Sequence, residues 1–401
     1  MSKTIFFSVG EPSGDEHAAH LIEVLRERQP DLRVRGFGGR EMRRAGCDVD
    51  LDLTEHAVVG ILEVLPKLRQ FFRFVDDAEA IFATGEIDAV VLVDFPGFNW
   101  HIAKRAKKYG IPVYYYCPPQ LWAWASWRIR KMKATVDHVL AVLPIEQQFF
   151  SEHQIPTTFV GHPFFDAVDQ AQLSETSIAS IRQSAADGPT VAVLPGSRTA
   201  EVFGNWPVML SAIAELSEQH PKARFAVAGY RDKHLQFCKD EYQRFVNREG
   251  RNLPIDFYQG ATSEIIDQAT CAMMVSGSVS LELMARQTPA VVMYRVGRFL
   301  YAFGRCVVKV DSVTLPNLMP DPESDSRPFP EMISVGNPAP ASQFLVDEIG
   351  RLLADDQLVA ERRQQLARLN RLYAQTGASV RAADKLLELL DHPGAIAKRV
   401  A

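Results

Sequence analysis

The chain lacks paired cysteines. Its five, Cys47, Cys117, Cys238, Cys271 and Cys306, are odd in number and show no Cys-x-x-Cys spacing. That excludes a disulfide framework and a zinc site, and points to a reducing cytosol. Nor does any apolar run approach the roughly 18 residues that a membrane-spanning helix needs. The first apolar stretch, Thr4–Val9, meets Glu11 and Asp15 at once, which does not fit a signal peptide. Contact with a membrane is therefore expected only at its surface. Positive charge is not in excess: 44 Lys and Arg against 49 Asp and Glu leave a net charge of -5, so no overall cationic field draws the chain to nucleic acid. Internal repeats and low-complexity tracts are missing as well.

What the sequence does contain is alternation. Thr4–Val9, Ala89–Val93, Val113–Tyr116, His138–Val142 and Thr158–Val160 read as buried strands, with helical stretches such as Asp15–Arg28 and Asn99–Tyr109 between them. This pattern predicts a parallel sheet covered by helices on both faces. It stops over the polar residues 166–189, read as a linker helix, and resumes with Thr190–Leu194, Arg224–Ala228, Ile255–Gln259, Cys271–Val275 and Ala290–Tyr294. The expected fold class is α/β, with two doubly wound domains in tandem over residues 1–165 and 190–345. Ser312–Asn337, rich in proline, reads as an irregular crossing segment, and 346–401 as C-terminal helices.

Doubly wound domains bind ligands at the carboxyl ends of their strands, so the loops there are the candidate sites. Gly10-Glu11-Pro12-Ser13-Gly14-Asp15 allows close ligand approach, although Ser13 or Asp15 serves equally well as a helix cap. Asp94-Phe95-Pro96-Gly97-Phe98-Asn99 sets a carboxylate just past a buried strand, where it suits a general base or a helix cap. Pro118–Trp124 holds Trp122 and Trp124, as a wall for a sugar or acyl chain or as core. In the second half, Pro195-Gly196-Ser197-Arg198 joins a strand to a helix start. Its free amides and fork-shaped cation suit a diphosphate, and it is no Walker loop. A second small-residue turn, Ser276-Gly277-Ser278, precedes Glu282, which can hold ribose hydroxyls or simply favour the helix dipole. Asp48-Val49-Asp50-Leu51-Asp52 has the form of a metal motif, but alternating Asp reads better as an exposed strand face. Two stretches mix cations with aromatics, Lys67–Phe74 and Tyr294–Lys309, and suit either a membrane interface or an amphipathic helix packed on the core.

These blocks resemble those of the lipid-A-disaccharide synthases, in order, from about residue 5 to 320. The matching stretches are Ser8–Asp15, Gly36–Gly39, Val59–Leu65, Asp94–Asn99, Pro118–Trp124, Phe159–Pro163, Leu194–Arg198, Ser276–Glu282, Met293–Arg295 and Leu315–Asn317. Departures are Gly97, where the family often has Asp, Ser278-Val279-Ser280 in place of Thr-Ala-Thr, and Asp321–Pro330 in place of a glutamine-rich region. The resemblance implies two facing Rossmann-like domains of GT-B type, with the C-terminal helices crossing back to the first domain of the same or a partner chain. It implies inverting transfer from UDP-diacylglucosamine to lipid X, 2,3-diacylglucosamine 1-phosphate, forming a β-1,6 bond without metal or other cofactor. The work would be done peripherally, at the cytoplasmic face of the inner membrane. Asp94 and Arg198 are then catalytic. Ser13, Gly14, Asp15, Gly39, Asn99, Trp122, Gly161 and His162 belong to the substrate sites, with Gly196, Ser197, Gly277, Ser278, Leu281, Glu282, Tyr294 and Asn317. UDP-N-acetylglucosamine 2-epimerases share this fold; the Trp122/Trp124 block and the Asp94 block favour the lipid enzyme.

Overall fold

The computed structural model describes residues 2–56, 68–185, 188–308 and 310–392. The block Val59–Leu65 and residues 393–401 lie outside the described residues. The chain divides into two compact units: residues up to Asp166 together with those from Gln375 onward, and Ala167–Ala374.

In the first unit, seven strands form one sheet: β1 (Thr4–Val9), β2 (Arg33–Gly38), β3 (Asp48–Asp52), β4 (Ala89–Val93), β5 (Val113–Tyr116), β6 (His138–Ala141) and β7 (Thr157–Phe159). Their order is β3-β2-β1-β4-β5-β6-β7 and every pairing is parallel. The central strands are apolar throughout because both faces are covered; β1, β4, β5 and β6 are buried along their whole length. β3 is the opposite. It is an edge strand with its Asp run half-exposed. Asp50 pairs with Arg35 on β2 at 2.6 Å, and Asp52 accepts from the Thr54 hydroxyl at 2.7 Å. Charge on an edge strand blocks further pairing, which accounts for these carboxylates without a metal.

The second unit holds β8 (Thr190–Leu194), β9 (Arg224–Gly229), β10 (Ile255–Gln259), β11 (Cys271–Met274), β12 (Ala290–Val296) and β13 (Glu331–Val335) in the order β10-β9-β8-β11-β12-β13, again all parallel. β13 corrects the reading of Ser312–Asn337 as wholly irregular. Pro330 and Pro338 flank a five-residue strand that, among the described residues, pairs only with β12, from Val292–Glu331 to Val296–Val335. An edge strand tolerates prolines at its ends, because no second neighbour needs the missing N–H.

The stretch 166–189 also differs from its reading. It holds the end of one helix, Pro163–Gln170, and a second, Glu175–Ala185. Residues 346–373 do not return to the first unit. The helices Ala339–Ala354 and Asp356–Tyr373 belong to the second, where Leu345, Ile349 and Val359 share a core with Val191 and Met209. Only the last helix, Ala378–Asp391, packs in the first unit, against Pro12–Arg28 of the same chain. It buries Leu386, Leu389 and Leu390, each contributing about 2 kcal/mol by removal from water. Its N-terminus is capped from afar: the buried Asp166 carboxylate accepts from the amides of Gly377 at 2.6 Å, Ala378 at 3.3 Å and Ser379 at 3.0 Å.

Candidate active site

In each sheet the strand order reverses at one place, between β1 and β4 and between β8 and β11. A crevice opens at such a switch point, because the helices on either side leave toward opposite faces.

At the first crevice, the loops after β1 and β4 touch. A Cβ on Gly10 would stand 2.1 Å from Cδ1 of Phe95, so only glycine fits there. Asp94 and Phe95 both have left-handed backbones, φ 46° and 45°. Such conformations cost roughly 1–3 kcal/mol each and persist only where the surroundings enforce them. Here the enforcement is visible. The Asp94 carbonyl accepts from Asn99 Nδ2 at 2.7 Å and from the Tyr115 hydroxyl at 2.7 Å. Asn99 is fully buried; its Nδ2 also donates to the Ser8 and Val93 carbonyls, and its Oδ1 accepts from the Ser8 hydroxyl at 2.7 Å. Asn99 thus braces the turn that aims half-buried Asp94 and does not itself face a ligand.

The loop after β5 adds to this crevice. Cys117 is again left-handed, φ 49°, and burial holds its thiol well above the usual range. The tryptophan block splits: Trp122 is buried, whereas Trp124 is exposed beneath Arg128, 5.2 Å from its ring centre. Beside Trp122 lies Glu146, which the sequence reading missed. It sits just inside the Pro144–Glu152 helix that follows β6, and burial pushes its carboxyl up to about 7. The one signal for it was a Glu three residues past the helix N-cap Leu143, in the capping-box position.

Asp15 and Gly39 have structural work. The Asp15 carboxylate accepts from the amides of Gly39 at 2.8 Å, Glu41 at 2.8 Å and Met42 at 3.3 Å. It therefore caps the short helix Arg40–Arg44, not its own. Gly14 is buried against Val9, leaving Ser13 exposed in the first turn of the helix Pro12–Arg28. Gly161, at φ 86°, makes room for Arg381, whose Nε donates to the Val160 carbonyl at 2.8 Å. His162 beside it accepts at Nδ1 from the Phe164 amide, and its ring meets that of His17 edge-on at 5.8 Å. Burial lowers His17 to about 4 and His162 to about 3, so both are neutral. Gly161 therefore lies where the last helix docks.

At the second crevice the loops are small and open. Gly196 has φ 123°, and a Cβ there would come within 2.8 Å of Glu201. Ser197 and Arg198 are exposed at the start of the 21-residue helix Thr199–Gln219. Glu201, one turn in, accepts from the Arg198 guanidinium at 3.1 Å and its backbone amide at 3.3 Å, and orients it. Burial, and then the Glu201 carboxylate, raise the phenol of Tyr294 on β12 above its ordinary range. Buried Asn205 donates to the Glu201 carbonyl at 2.7 Å and accepts from the Arg295 amide at 2.9 Å, which ties β12 to this helix.

After β11, Gly277 and Ser278 are exposed, and the Ser276 hydroxyl donates to the Val313 carbonyl. Leu281 is fully buried in the helix Val279–Ala285 and belongs to the core, because it occupies that helix's inner face. Glu282 pairs with Arg286 at 3.0 Å. The Asn317 side chain is engaged by its own loop, donating to the Phe329 carbonyl at 2.8 Å and Glu331 at 3.1 Å and accepting from the Phe329 amide at 3.0 Å. Glu331 also accepts from the Thr314 hydroxyl at 2.6 Å, making it the hub of that loop.

Residues 5–375 match the family described as lipid-A-disaccharide synthetase. A lipid-A-disaccharide synthase of Myxococcus xanthus is 34% identical over 98% of both chains. The chain belongs to this family. Membership makes it a glycosyltransferase of lipid A disaccharide biosynthesis. A second relative, from Coxiella burnetii, is 33% identical over 88% of this chain and 89% of its own. Two solved structures share the fold. UDP-GlcNAc 2-epimerase from Neisseria meningitidis, bound to UDP-GlcNAc, has a TM-score of 0.63 at 13% identity, covering 97% of this chain and 100% of its own. The calicheamicin glycosyltransferase has 0.56 at 15%, covering 98% and 100%. The family member described here thus has the two-sheet α/β architecture of GT-B enzymes.

Proposed function

We propose that the chain joins UDP-2,3-diacylglucosamine to 2,3-diacylglucosamine 1-phosphate, with inversion, giving the β-1,6-linked disaccharide 1-phosphate and UDP. Asp94 takes the proton from the acceptor hydroxyl as its oxygen bonds to the anomeric carbon. The bond from that carbon to the UDP oxygen breaks, and its electron pair leaves with the diphosphate. The amides of Gly196, Ser197, Gly277 and Ser278, with the Arg198 guanidinium, supply the countercharge for the leaving group. Glu282 exchanges Arg286 for the ribose hydroxyls, and Ser13 faces the sugar. The observation that carries this reading is the Asp94 turn. A carboxylate is held in a strained conformation at a sheet's switch point by two side-chain donors on its own carbonyl. The purified chain, mixed with both substrates and excess chelator, is expected to release disaccharide and UDP. Strict dependence on added magnesium, or product from a non-acylated acceptor, overturns the proposal.

The substrates are lipids, so the same reading puts the chain at the cytoplasmic surface of the inner membrane. No helix among the described residues is long and apolar enough to cross it. The helix Arg298–Val307 supports surface contact: Phe299 is 87% exposed, and Tyr301, Phe303 and Arg305 are exposed near it. Aromatics beside arginine favour the interface of an anionic bilayer. A homodimer that exchanges the last helix would form the same Asp166 cap between copies, and light scattering decides whether it exists.

A further inference from the structure

The amides of Gly277 and Ser278 serve a diphosphate best on a turn that is already fixed, because a loop that must order on binding loses affinity. Both residues are exposed, and Ser278 has a helical backbone, φ -58°. The turn is tied at Ser276, whose hydroxyl donates to the Val313 carbonyl. Val313 is in turn tied at its amide, which donates to Glu331, at 3.2 Å to Oε1 and 3.3 Å to Oε2. Glu331 Oε2 also accepts from the Thr314 hydroxyl at 2.6 Å and from Asn317 Nδ2 at 3.1 Å, and Oε1 from the Arg327 guanidinium at 3.4 Å. Sheet register explains the reach: Met274, the last residue of β11, lies in one row with Val292 of β12 and Glu331 of β13. Charge on an edge strand ordinarily faces water. This side chain is 8% exposed and faces the loop instead. Each of its partners donates, and the full negative charge strengthens every one of these bonds.

We propose that Glu331 is a positioning residue for the donor's diphosphate: through Val313 it fixes Ser276, and so the amides of Gly277 and Ser278. The inference rests on those amides binding the diphosphate. Glu331 itself touches no substrate atom. It holds the Val313 amide, the Val313 carbonyl holds the Ser276 hydroxyl, and the turn keeps its shape before the nucleotide arrives. Glutamine in this place has the same outline but only one acceptor oxygen. Its own N–H₂ must then face either the Val313 amide or the Asn317 side-chain amide, donor against donor.

The test is calorimetry with UDP, and steady-state kinetics with diacylated donor and acceptor, on the whole chain and its Glu331→Gln, Ser276→Ala and doubly substituted forms. Glu331→Gln is expected to bind UDP about tenfold more weakly and to raise the KM for donor alike, while the KM for acceptor stays unchanged. Ser276→Ala cuts the same link from the side of the turn and is expected to act similarly. The double form should then lose no more than about tenfold, because both changes break one chain of contacts. Unchanged UDP affinity in Glu331→Gln, or additive losses of roughly a hundredfold in the double form, overturns the inference. So does a fall in kcat with both KM values unchanged, which is what a smaller folded fraction gives. Should Glu331→Gln not fold, Ser276→Ala carries the test, and full UDP affinity there overturns the inference. Ser278→Pro addresses the diphosphate reading itself: φ -58° suits proline, which removes one of the proposed amides. If Ser278→Pro binds UDP as tightly as the unaltered chain, the diphosphate assignment of this turn fails. If Ser278→Pro weakens binding and Glu331→Gln does not, only the role of Glu331 fails.

Discussion

The two crevices are built from opposite materials. Around β4 and β5 the backbone is strained at residues with side chains: Asp94, Phe95, Cys117 and Ala125 all have positive φ. Two buried polar groups, Asn99 and Tyr115, hold the Asp94 turn by its carbonyl. Around β8 and β11 the turns are made by Gly196, Ser197, Gly277 and Ser278, and the principal charge, Arg198, lies in the open. A proton transfer needs one carboxylate fixed in place and partly removed from water. A diphosphate needs many amides that it can reach and then leave. Rigidity therefore concentrates in the first unit, and access in the second.

This contrast can be broken by experiment. The largest effect is expected from Asp94→Asn: turnover falls on the order of a hundredfold or more while donor affinity, read by calorimetry with UDP, stays the same. Equal loss of binding would mean that the first crevice also holds the nucleotide. Arg198→Ala is expected to lower kcat/KM roughly thirtyfold and to weaken UDP binding as well, since the guanidinium acts before and during departure. An unchanged affinity for UDP would sink the diphosphate assignment. Asp166→Ala removes three amide partners and is expected to cost about 2–3 kcal/mol. Hydrogen exchange of Ala378–Asp391 should quicken while Ala339–Tyr373 stays protected.

A smaller effect is expected from pH. Burial lowers His17 and His138 to about 4 and His162 to about 3, all in the first unit. Unfolded histidine takes up protons below about 6.5. Their contribution to stability is therefore present above that pH and is lost as pH falls toward 4. The raised Glu146 carboxyl opposes this, favouring the folded state at low pH and losing that advantage between 4.5 and about 7. Thermal melts should show the first unit weakening on acidification before the second, and more steeply in Glu146→Gln. The smallest effect is expected from Phe299→Ser: severalfold weaker cosedimentation with anionic vesicles, and unchanged turnover on detergent-dispersed substrate.

Much of the fold was legible because buried parallel strands are unbroken apolar runs. Thr4–Val9, Ala89–Val93, Val113–Tyr116 and Thr190–Leu194 announce themselves in this way. Strands that break the apolar run do not. Arg33–Gly38, next to the sheet edge, carries arginine and glycine, and Glu331–Val335, at an edge, begins with charge and is flanked by proline. The C-terminal helices were legible as helices, but amphipathic periodicity does not say against which sheet the apolar stripe lies.

The candidate site divides similarly. Loops at strand ends can be read from glycine and small residues, so Asp94, Gly196–Arg198 and Gly277–Ser278 stand out in the sequence. Which polar side chain in such a loop is spent on the protein cannot be read. Asp15, Asn99 and Asn317 all look like ligand groups, and all are occupied by backbone amides or carbonyls.

The sequence by itself determined the class of fold, the family and the loops where chemistry is possible, because residue type and spacing act locally along a strand or turn. The tertiary structure alone decided that Asp166 caps a helix more than two hundred residues away, and that Asn99 and Tyr115 meet on the Asp94 carbonyl. Those relations depend on groups distant in the chain sharing a volume from which water is excluded.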